Sequence, residues 1–524
     1  MNPSLVTTPL GRLSGLCTGG IHRFLGVPYA RPPVGPLRLR SPQPTLPWTG
    51  IRPAHDAGAA SLQTLAGQQQ WLNAPIEHLS EDCLFLNIWT PSLTGRHPVM
   101  VWIHGGQTRN GHGASPASDG QALAALGVVV VTINYRLGAL GGLAHPGLED
   151  PATGFCANWG LQDKLAALAW VAEHIGAFGG DPGRVTLAGQ SSGAANAVML
   201  AQNSLASGHF HALIAQSPPL FRPPMFAELA DAAAYTEALA RRLGVAVPAL
   251  RQVAGSVLQT EEQALARTLT AEGRRPHTAP VRDGRLLRHW PFDAPAIGVP
   301  LLAGWTRHEA DFWFHLQDGQ GHSLAPLREP DDAAELAPRV QRLMAQHYAF
   351  TPAPDTAAVL DAYTASGGVP QRWRDLYTDL VFRAPILQLI NRQAAHGQPA
   401  WAYEFAYPLP GDRPSTPHAA DVPFVFGTHR HPHLAPKIGA TGAADALSAT
   451  VIRAWADFVH HGAPGPVNGT AWPRFTAAQP LAMVLEPAHP GPAALSRPAG
   501  LACWPAYTAP WTEAAPAGPD REPL

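Results

Sequence analysis

Charge is scarce in this chain. Asp, Glu, Lys and Arg make up 14% of its 524 residues, well under the ~25% of ordinary soluble proteins. The 36 basic and 38 acidic side chains leave a formal net charge of −2. That near-balance excludes both the basic stripe of a nucleic-acid binder and an acidic tail. Cysteine is scarcer still: Cys17, Cys83, Cys156 and Cys503 are the four. None stands at C-x-x-C spacing, which excludes a disulfide scaffold and gives no zinc or thioredoxin-like pattern. No apolar run approaches the ~20 residues of a membrane-spanning helix; the longest, residues 122–133, has 12 and contains Gly127 and Thr132. The opening MNPSLVTTPLGRLSG has no basic n-region and no apolar h-region, so no signal peptide is expected. No period of 20–50 residues repeats, which removes solenoids and propellers. The expectation is a folded cytoplasmic protein without a membrane span, its core drawn from the 46% of residues that are apolar.

What is present has α/β character. Residues 99–103, 128–134 and 184–187 are continuous aliphatic or β-branched runs, as strands buried on both faces require. Between the last two lies 160–175, with Leu165, Leu168, Val171 and Ile175 at helical spacing. Strand, helix, strand in that order predicts a βαβ unit and a mostly parallel sheet flanked by helices. Shorter strands are expected at 24–29 and 84–89, and further ones at 299–305 and 401–407. Helical insertions are expected near 223–280 and 330–398. No linker divides the chain, so residues 1–504 read as one domain and the Pro- and Ala-rich 505–524 as a loose tail.

The chemistry lies at 184–197, RVTLAGQSSGAANA. Here Gly189-Gln190-Ser191-Ser192-Gly193 fills G-x-S-x-G between an apolar strand and a small-residue helix start. A serine on so tight a turn needs strained backbone angles, and the flanking glycines let strand and helix approach. Its hydroxyl is then exposed, while the N–H of Ser192 can face a developing oxyanion. Upstream, VMVWIHGGQ (99–107) ends a strand on His104-Gly105-Gly106, a loop type whose N–H groups complete an oxyanion hole. Two parts of one machine thus occur in order. Alone, each motif could be only a glycine turn.

Several stretches together resemble the type-B carboxylesterase family, of which bacterial para-nitrobenzyl-type esterases and the cholinesterases are members. They include FLGVPYARPPVGP (24–36), EDCLFLNIWTP (81–91), INYRLGALGGL (133–143), FGGDPGRVTLAGQSSGA (178–194), VPLLAGWTRHEADFWF (299–314), TPHAADVPFVFG (416–427) and AWADFVHHGAPG (454–465). The likeness implies an α/β-hydrolase fold and a serine carboxylesterase acting through an acyl-enzyme, with no metal and no cofactor. It places the acid at Glu309, with Asp311 as rival, and the base at His418. Ser191, Glu309 and His418 follow the Ser…acid…His order of such enzymes. It further implies oxyanion donors from Gly105, Gly106, Gln107 and Ser192, and a hydrogen bond from Ser217 to the acid.

Departures from the family pattern qualify this. GESAG is usual at the elbow, and Gln190 and Ser192 replace its Glu and Ala, so Gln190 is expected to weaken any preference for cationic substrates. Gln107 and Pro218 stand where smaller residues are usual. Cys83 lacks its usual partner, whose position falls at Ser61 or Leu62, leaving the loop with Gln68–Gln70 and Trp71 untethered. Arg38 and Glu81 read as a structural ion pair. His429, His431 and His433 read as a polar loop, since no carboxylate or cysteine stands at ligand spacing. Phe221, Met225, Phe312, Trp313 and Phe314 either line an apolar gorge or belong to the core. If they line it, small-to-medium hydrophobic or aryl esters are the expected substrates. Alternatives are amide or carbamate cleavage by the same triad, and a catalytically inactive adhesion relative. The expected partner is a small-molecule ester, with no nucleic acid. Oligomeric state is left open, and a monomer is compatible.

Overall fold

The computed structural model describes residues 2–64, 71–220, 225–272, 274–291, 294, 296–316, 323, 325–347, 353–411 and 413–504. Its aliphatic runs form the middle of a 13-stranded sheet. In chain order the strands are β1 (Asn2–Thr8), β2 (Gly11–Thr18), β3 (Ile21–Pro28), β4 (Ile51–Pro53), β5 (Phe85–Thr90), β6 (His97–Ile103) and β7 (Val129–Ile133). Then follow β8 (Gly180–Gln190), β9 (Ala212–Gln216), β10 (Leu301–Thr306), β11 (Ala400–Phe405), β12 (Leu481–Leu485) and β13 (Gly491–Ala494). Their spatial order is β1-β2-β3-β5-β7-β6-β8-β9-β10-β11-β12-β13, with β4 beside β2. From β7 to β12 every neighbour is parallel. Every residue of β7, β9, β10 and β11 is buried, which is why they read as unbroken hydrophobic runs and not as alternating ones.

The strand order reverses at β6, since the chain next forms β7 on one side and later β8 on the other. Loops leaving the carboxyl ends of β6 and β8 therefore diverge and open a crevice, the usual ligand position in such sheets. The HGG loop follows β6, and the G-x-S-x-G turn follows β8. Topology alone brings the two motifs together.

Helices cover the sheet. The expected crossover helix is α1 (Trp159–His174), and α2 (Ser192–Ala201) follows the serine turn. The first insertion holds α3 (Leu229–Leu243) and α4 (Gly255–Ala271). The second holds α5 (Ala333–His347), α6 (Thr356–Ala362), α7 (Val369–Thr378) and α8 (Ala384–Ala395). One π-helical stretch, Asp379–Arg383, joins α7 to α8. A buried charge cluster holds that bulge: Asp379 accepts from Arg383 at 2.5 Å, Arg497 at 2.7 Å and Tyr363 at 3.0 Å. A further long helix, α9 (Gly442–His461), starts on a cap in which Ala444 N–H donates to the Thr441 hydroxyl.

Structural ion pairs fix the loops around this frame. Arg136 and Asp163 are both buried and share three hydrogen bonds, two from the guanidinium at 2.7 and 2.8 Å and one from the Arg136 N–H at 3.0 Å, tying the segment after β7 to α1. The Arg38–Glu81 pair is bidentate at 2.5 and 2.8 Å, and Glu81 also accepts the Gly255 N–H at the start of α4. Cys83 is a buried free thiol whose side-chain partner is Ser61, and burial raises its pKa. Among the described residues no helix is long and apolar enough to cross a membrane. Residues 68–70 and the tail 505–524 lie outside the described residues.

Candidate active site

Ser191 takes φ 56° and ψ −131°, the strained geometry of a residue forced through a sharp strand-to-helix turn. Two things hold it there. Its N–H donates to the Gln216 carbonyl of β9 at 2.8 Å. The glycines on either side let backbones touch: a Cβ on Gly189 would lie 2.7 Å from Gly193, and one on Gly193 would lie 2.2 Å from the Ile103 carbonyl oxygen. The side chain is left 8% exposed at the crevice.

Glu309 and His418 come from loops after β10 and β11. His418 Nδ1 donates to Glu309 Oε2 at 2.5 Å, and the Thr306 N–H donates to the other oxygen at 2.8 Å. Glu309 is fully buried and His418 nearly so. Their loops are clamped by His308, which donates its N–H to the Thr416 carbonyl and accepts the Thr416 N–H on Nδ1 at 3.0 Å. Burial lowers His308 to a pKa of about 4, so it stays a neutral acceptor. Asp311 is directed elsewhere, to Arg374 at 3.1 Å. Phe312, Trp313 and Phe382 ring the imidazole, with centroids 5.6, 5.1 and 4.9 Å from it.

Since Nδ1 carries the proton shared with Glu309, Nε2 of His418 bears the lone pair. Gln190 Nε2 stands 3.0 Å from it and donates. Among the described residues no hydrogen bond joins Ser191 Oγ to His418. Catalytic hydrogen bonds often tighten only with substrate bound.

The HGG loop is shaped by His104, whose Nδ1 donates to the Gly105 carbonyl at 2.7 Å. Turning that carbonyl outward turns the Gly106 N–H of the same planar peptide the opposite way. Burial holds His104 at a pKa of about 3, hence neutral. Gly106 sits at φ 112°, where a Cβ would lie 2.1 Å from the Asn110 carbonyl oxygen. Gln107 and Thr108 follow at φ 58° and 59°. The Thr108 N–H donates to the Ser192 hydroxyl at 3.3 Å, so Ser192 ties the loop to α2. From outside, Arg109 donates twice to the buried Glu262 of α4, both at 2.8 Å, and Tyr235 of α3 donates to the same carboxylate at 2.6 Å. The first insertion thus braces this loop. Among the described residues the N–H groups of Gly105, Gly106, Gln107 and Ser192 have no hydrogen-bond partner, and Gly105, Gly106 and Gln107 line the crevice.

One expectation is corrected. Ser217 does not bond Glu309: its Oγ is buried without a partner, and Thr306 N–H supplies the contact instead. Phe314 packs against Trp373 and Tyr377 and belongs to the core. Phe312, Trp313 and Met225 do line the crevice, and Phe221 lies outside the described residues. His429 bonds Asp445 at 2.9 Å, and no group of three metal-binding side chains converges among the described residues.

Sequence reasoning missed Gln63, Asn110, Phe382 and Asp421. Gln63 exchanges two hydrogen bonds with the Gly111 backbone, at 2.6 and 2.9 Å. Asp421 stands three residues after His418, a spacing the motif already displayed. It is fully buried, accepts from Gln216 at 2.8 Å and Tyr403 at 2.9 Å, and is raised by burial to a pKa of about 6. A raised carboxyl means the folded state holds the proton more tightly than the unfolded chain, whose value is near 4. Its stabilising contribution is present below about pH 4 and is lost as pH rises through about 6. Asp421→Asn, which cannot ionise, is expected to gain about 3 kcal/mol on the wild type between those limits. Thermal melts at pH 4, 5, 6 and 7 check it; a constant gap between the two melting points would sink it.

Two chambers meet at Ser191. One contains His418, Gln190, Asn110, Phe312 and Val422. The other, of about 220 Å³, is walled by Met225, Tyr377, Val381 and Phe382 and does not contain His418. Gln107, Ser191 and Trp313 border both.

With this geometry in view, similarity to known proteins decides the family. The model of the carboxylesterase family matches residues 2–491. The chain belongs to the carboxylesterase family. It is 35% identical to a fumonisin B1 esterase of Sphingopyxis macrogoltabida over 90% of this chain and 85% of that one. It is 31% identical to a para-nitrobenzyl esterase of Bacillus subtilis over 93% and 95%. A crystal structure of a Geobacillus stearothermophilus carboxylesterase superposes with a TM-score of 0.80 at 31% identity, covering 95% of this chain and 99% of that one. This carboxylesterase has the α/β-hydrolase fold and is an ester hydrolase, and the inactive adhesion reading is not favoured.

Proposed function

We propose that Ser191 is the nucleophile of this carboxylesterase, His418 its general base and acid, and Glu309 the group that orients the imidazole. The 2.5 Å contact between His418 Nδ1 and Glu309 carries this reading, because it leaves Nε2 as a base in the chamber that the strained Ser191 also lines. As an ester enters, the Ser191 hydroxyl takes the place of the Gln190 amide on Nε2 and gives up its proton while Oγ attacks the carbonyl carbon. Negative charge on the carbonyl oxygen is met by N–H groups of Gly106, Gln107 and Ser192, with Gly105 adjoining. Each such donor is worth about 3 kcal/mol of barrier. His418 then protonates the leaving alcohol, and water repeats the sequence on the acyl-enzyme.

The leaving oxygen must meet His418, and His418 lines only the first chamber. The alcohol therefore occupies that chamber, and the acyl group lies against Met225, Tyr377 and Phe382 in the second. The apolar, bounded acyl chamber favours small-to-medium hydrophobic or aryl acids. Butyrate is expected to outrun dodecanoate among p-nitrophenyl esters, and a clear win for the long chain would overturn this preference. A fluorophosphonate should add to the Ser191 peptide, read by mass spectrometry; an adduct on any other residue would overturn the nucleophile. Four unpaired cysteines support a reducing, cytoplasmic setting.

A further inference from the structure

The alcohol chamber has an uncommitted hydrogen-bonding group in its wall. Asn110 is 6% exposed and lines this chamber, yet its amide makes no hydrogen bond among the described residues. Several polar groups around it are engaged: the Ser115 hydroxyl donates to the Leu72 carbonyl, that of Ser118 to the Ser115 carbonyl, and the Gln190 amide to His418, while the buried Nε2 of His104 in the same wall is unpaired as well among the described residues. The amide opens into the chamber, so a ligand that pairs with it gains a hydrogen bond that an apolar ligand of the same shape does not.

Geometry also says which end of the amide is free. Its Oδ1 is turned onto Gly106, so close that a Cβ there would lie 2.5 Å away. The turn that brings them together is fixed by the Arg109 and Asn110 N–H groups, which both donate to the Gly106 carbonyl. With Oδ1 against the loop, the Nδ2 donor is the end available to a ligand. Among the described residues no Asp, Glu, Lys or Arg lines this chamber.

We propose that Asn110 is a specificity-determining residue that donates a hydrogen bond to the leaving alcohol. The preferred substrates are then esters whose alcohol carries an uncharged acceptor oxygen, a hydroxyl or ether, some bonds beyond the ester. This rests on the assignment of Ser191 and His418, because that assignment makes this the alcohol side. A cationic alcohol finds no carboxylate in this chamber.

The test uses butyrate esters of matched alcohols, 2-methoxyethyl, 3-methoxypropyl and 4-methoxybutyl against alkyl chains of equal length. Wild type, Asn110→Leu and Asn110→Ala are compared by kcat/KM, with fluorophosphonate labelling of Ser191 as a separate readout. The wild type should favour the ether by about tenfold at one length at least, and both variants should bring that ratio near one. Comparing ratios between proteins cancels the intrinsic difference between leaving groups. The alanine variant keeps the comparison alive if leucine does not fit. Equal ratios in wild type and variants that still label would overturn the role of Asn110 alone. Failure of the wild type to label would instead remove the Ser191 assignment, and this proposal with it.

Discussion

Replacing Ser191 by alanine is expected to lower kcat for p-nitrophenyl butyrate by about 10⁴- to 10⁶-fold. The acyl-enzyme path needs an oxygen at this position, and the buried, glycine-packed turn offers no second hydroxyl in register. Ser192 is the nearest candidate by sequence, but its hydroxyl is fully buried and accepts the Thr108 N–H. His418→Ala should cost about as much, since the serine then keeps its proton. Glu309→Gln should cost nearly as much, because an amide can donate to Nδ1 and so favour the wrong tautomer. The three losses should not add: a doubly substituted protein should be no slower than its worst single variant by more than a few-fold. Stopped assays with high enzyme concentration give the comparison, and a Ser191→Ala variant retaining a tenth of wild-type kcat would end the proposal. The residual rate over water would come from the Gly106, Gln107 and Ser192 donors, which the substitution leaves in place.

Legibility followed the range of the interaction involved. Strands buried on both faces were readable because all their residues must be apolar, so β6, β7 and the inner part of β8 stood out. The polar GDPGR that opens β8 did not, since it enters through a register shift against β6. Strand β1 was hidden because its alternating buried positions include polar Ser4 and Thr8 while Leu5 is exposed, and the edge strand β13 because it is nowhere fully buried. At the site, Ser191 and the HGG loop announced themselves because their glycines answer local steric demands. His418 and Glu309 were reachable only through the family resemblance, since nothing in a lone histidine or glutamate tells which loop it will face. Asn110 and Phe382 were hidden altogether. Phe382 depends on a π-helical bulge whose Asp379 is held by the distant Arg497 and Tyr363, and Asn110 depends on a turn that becomes visible only once Gly106 is seen at φ 112°. Ser217 shows the converse: a position in a motif foretold a hydrogen bond that local backbone geometry, at φ 47°, does not make.

Gly193→Ala is expected to reduce both stability and turnover although it touches no reacting atom. The new Cβ would lie 2.2 Å from the Ile103 carbonyl oxygen and 2.5 Å from that of His104. Both are backbone atoms at the end of a fully paired strand, so neither can rotate away as a side chain would. Relief requires α2 to retreat or the HGG loop to shift. Overpacking of this kind costs about 1–3 kcal/mol, here at the upper end because backbone must move against backbone. Either movement separates the Ser192 N–H from those of Gly106 and Gln107, which have to converge on one oxygen. Losing one donor in effect predicts a fall in kcat of about 10²- to 10³-fold, with KM changed much less because the ground-state carbonyl is held weakly there. Fluorophosphonate labelling should slow in parallel, since the phosphonyl oxygen uses the same donors. A folded Gly193→Ala protein with kcat within twofold of wild type would mean that the closeness of α2 to the HGG loop does not set the oxyanion geometry.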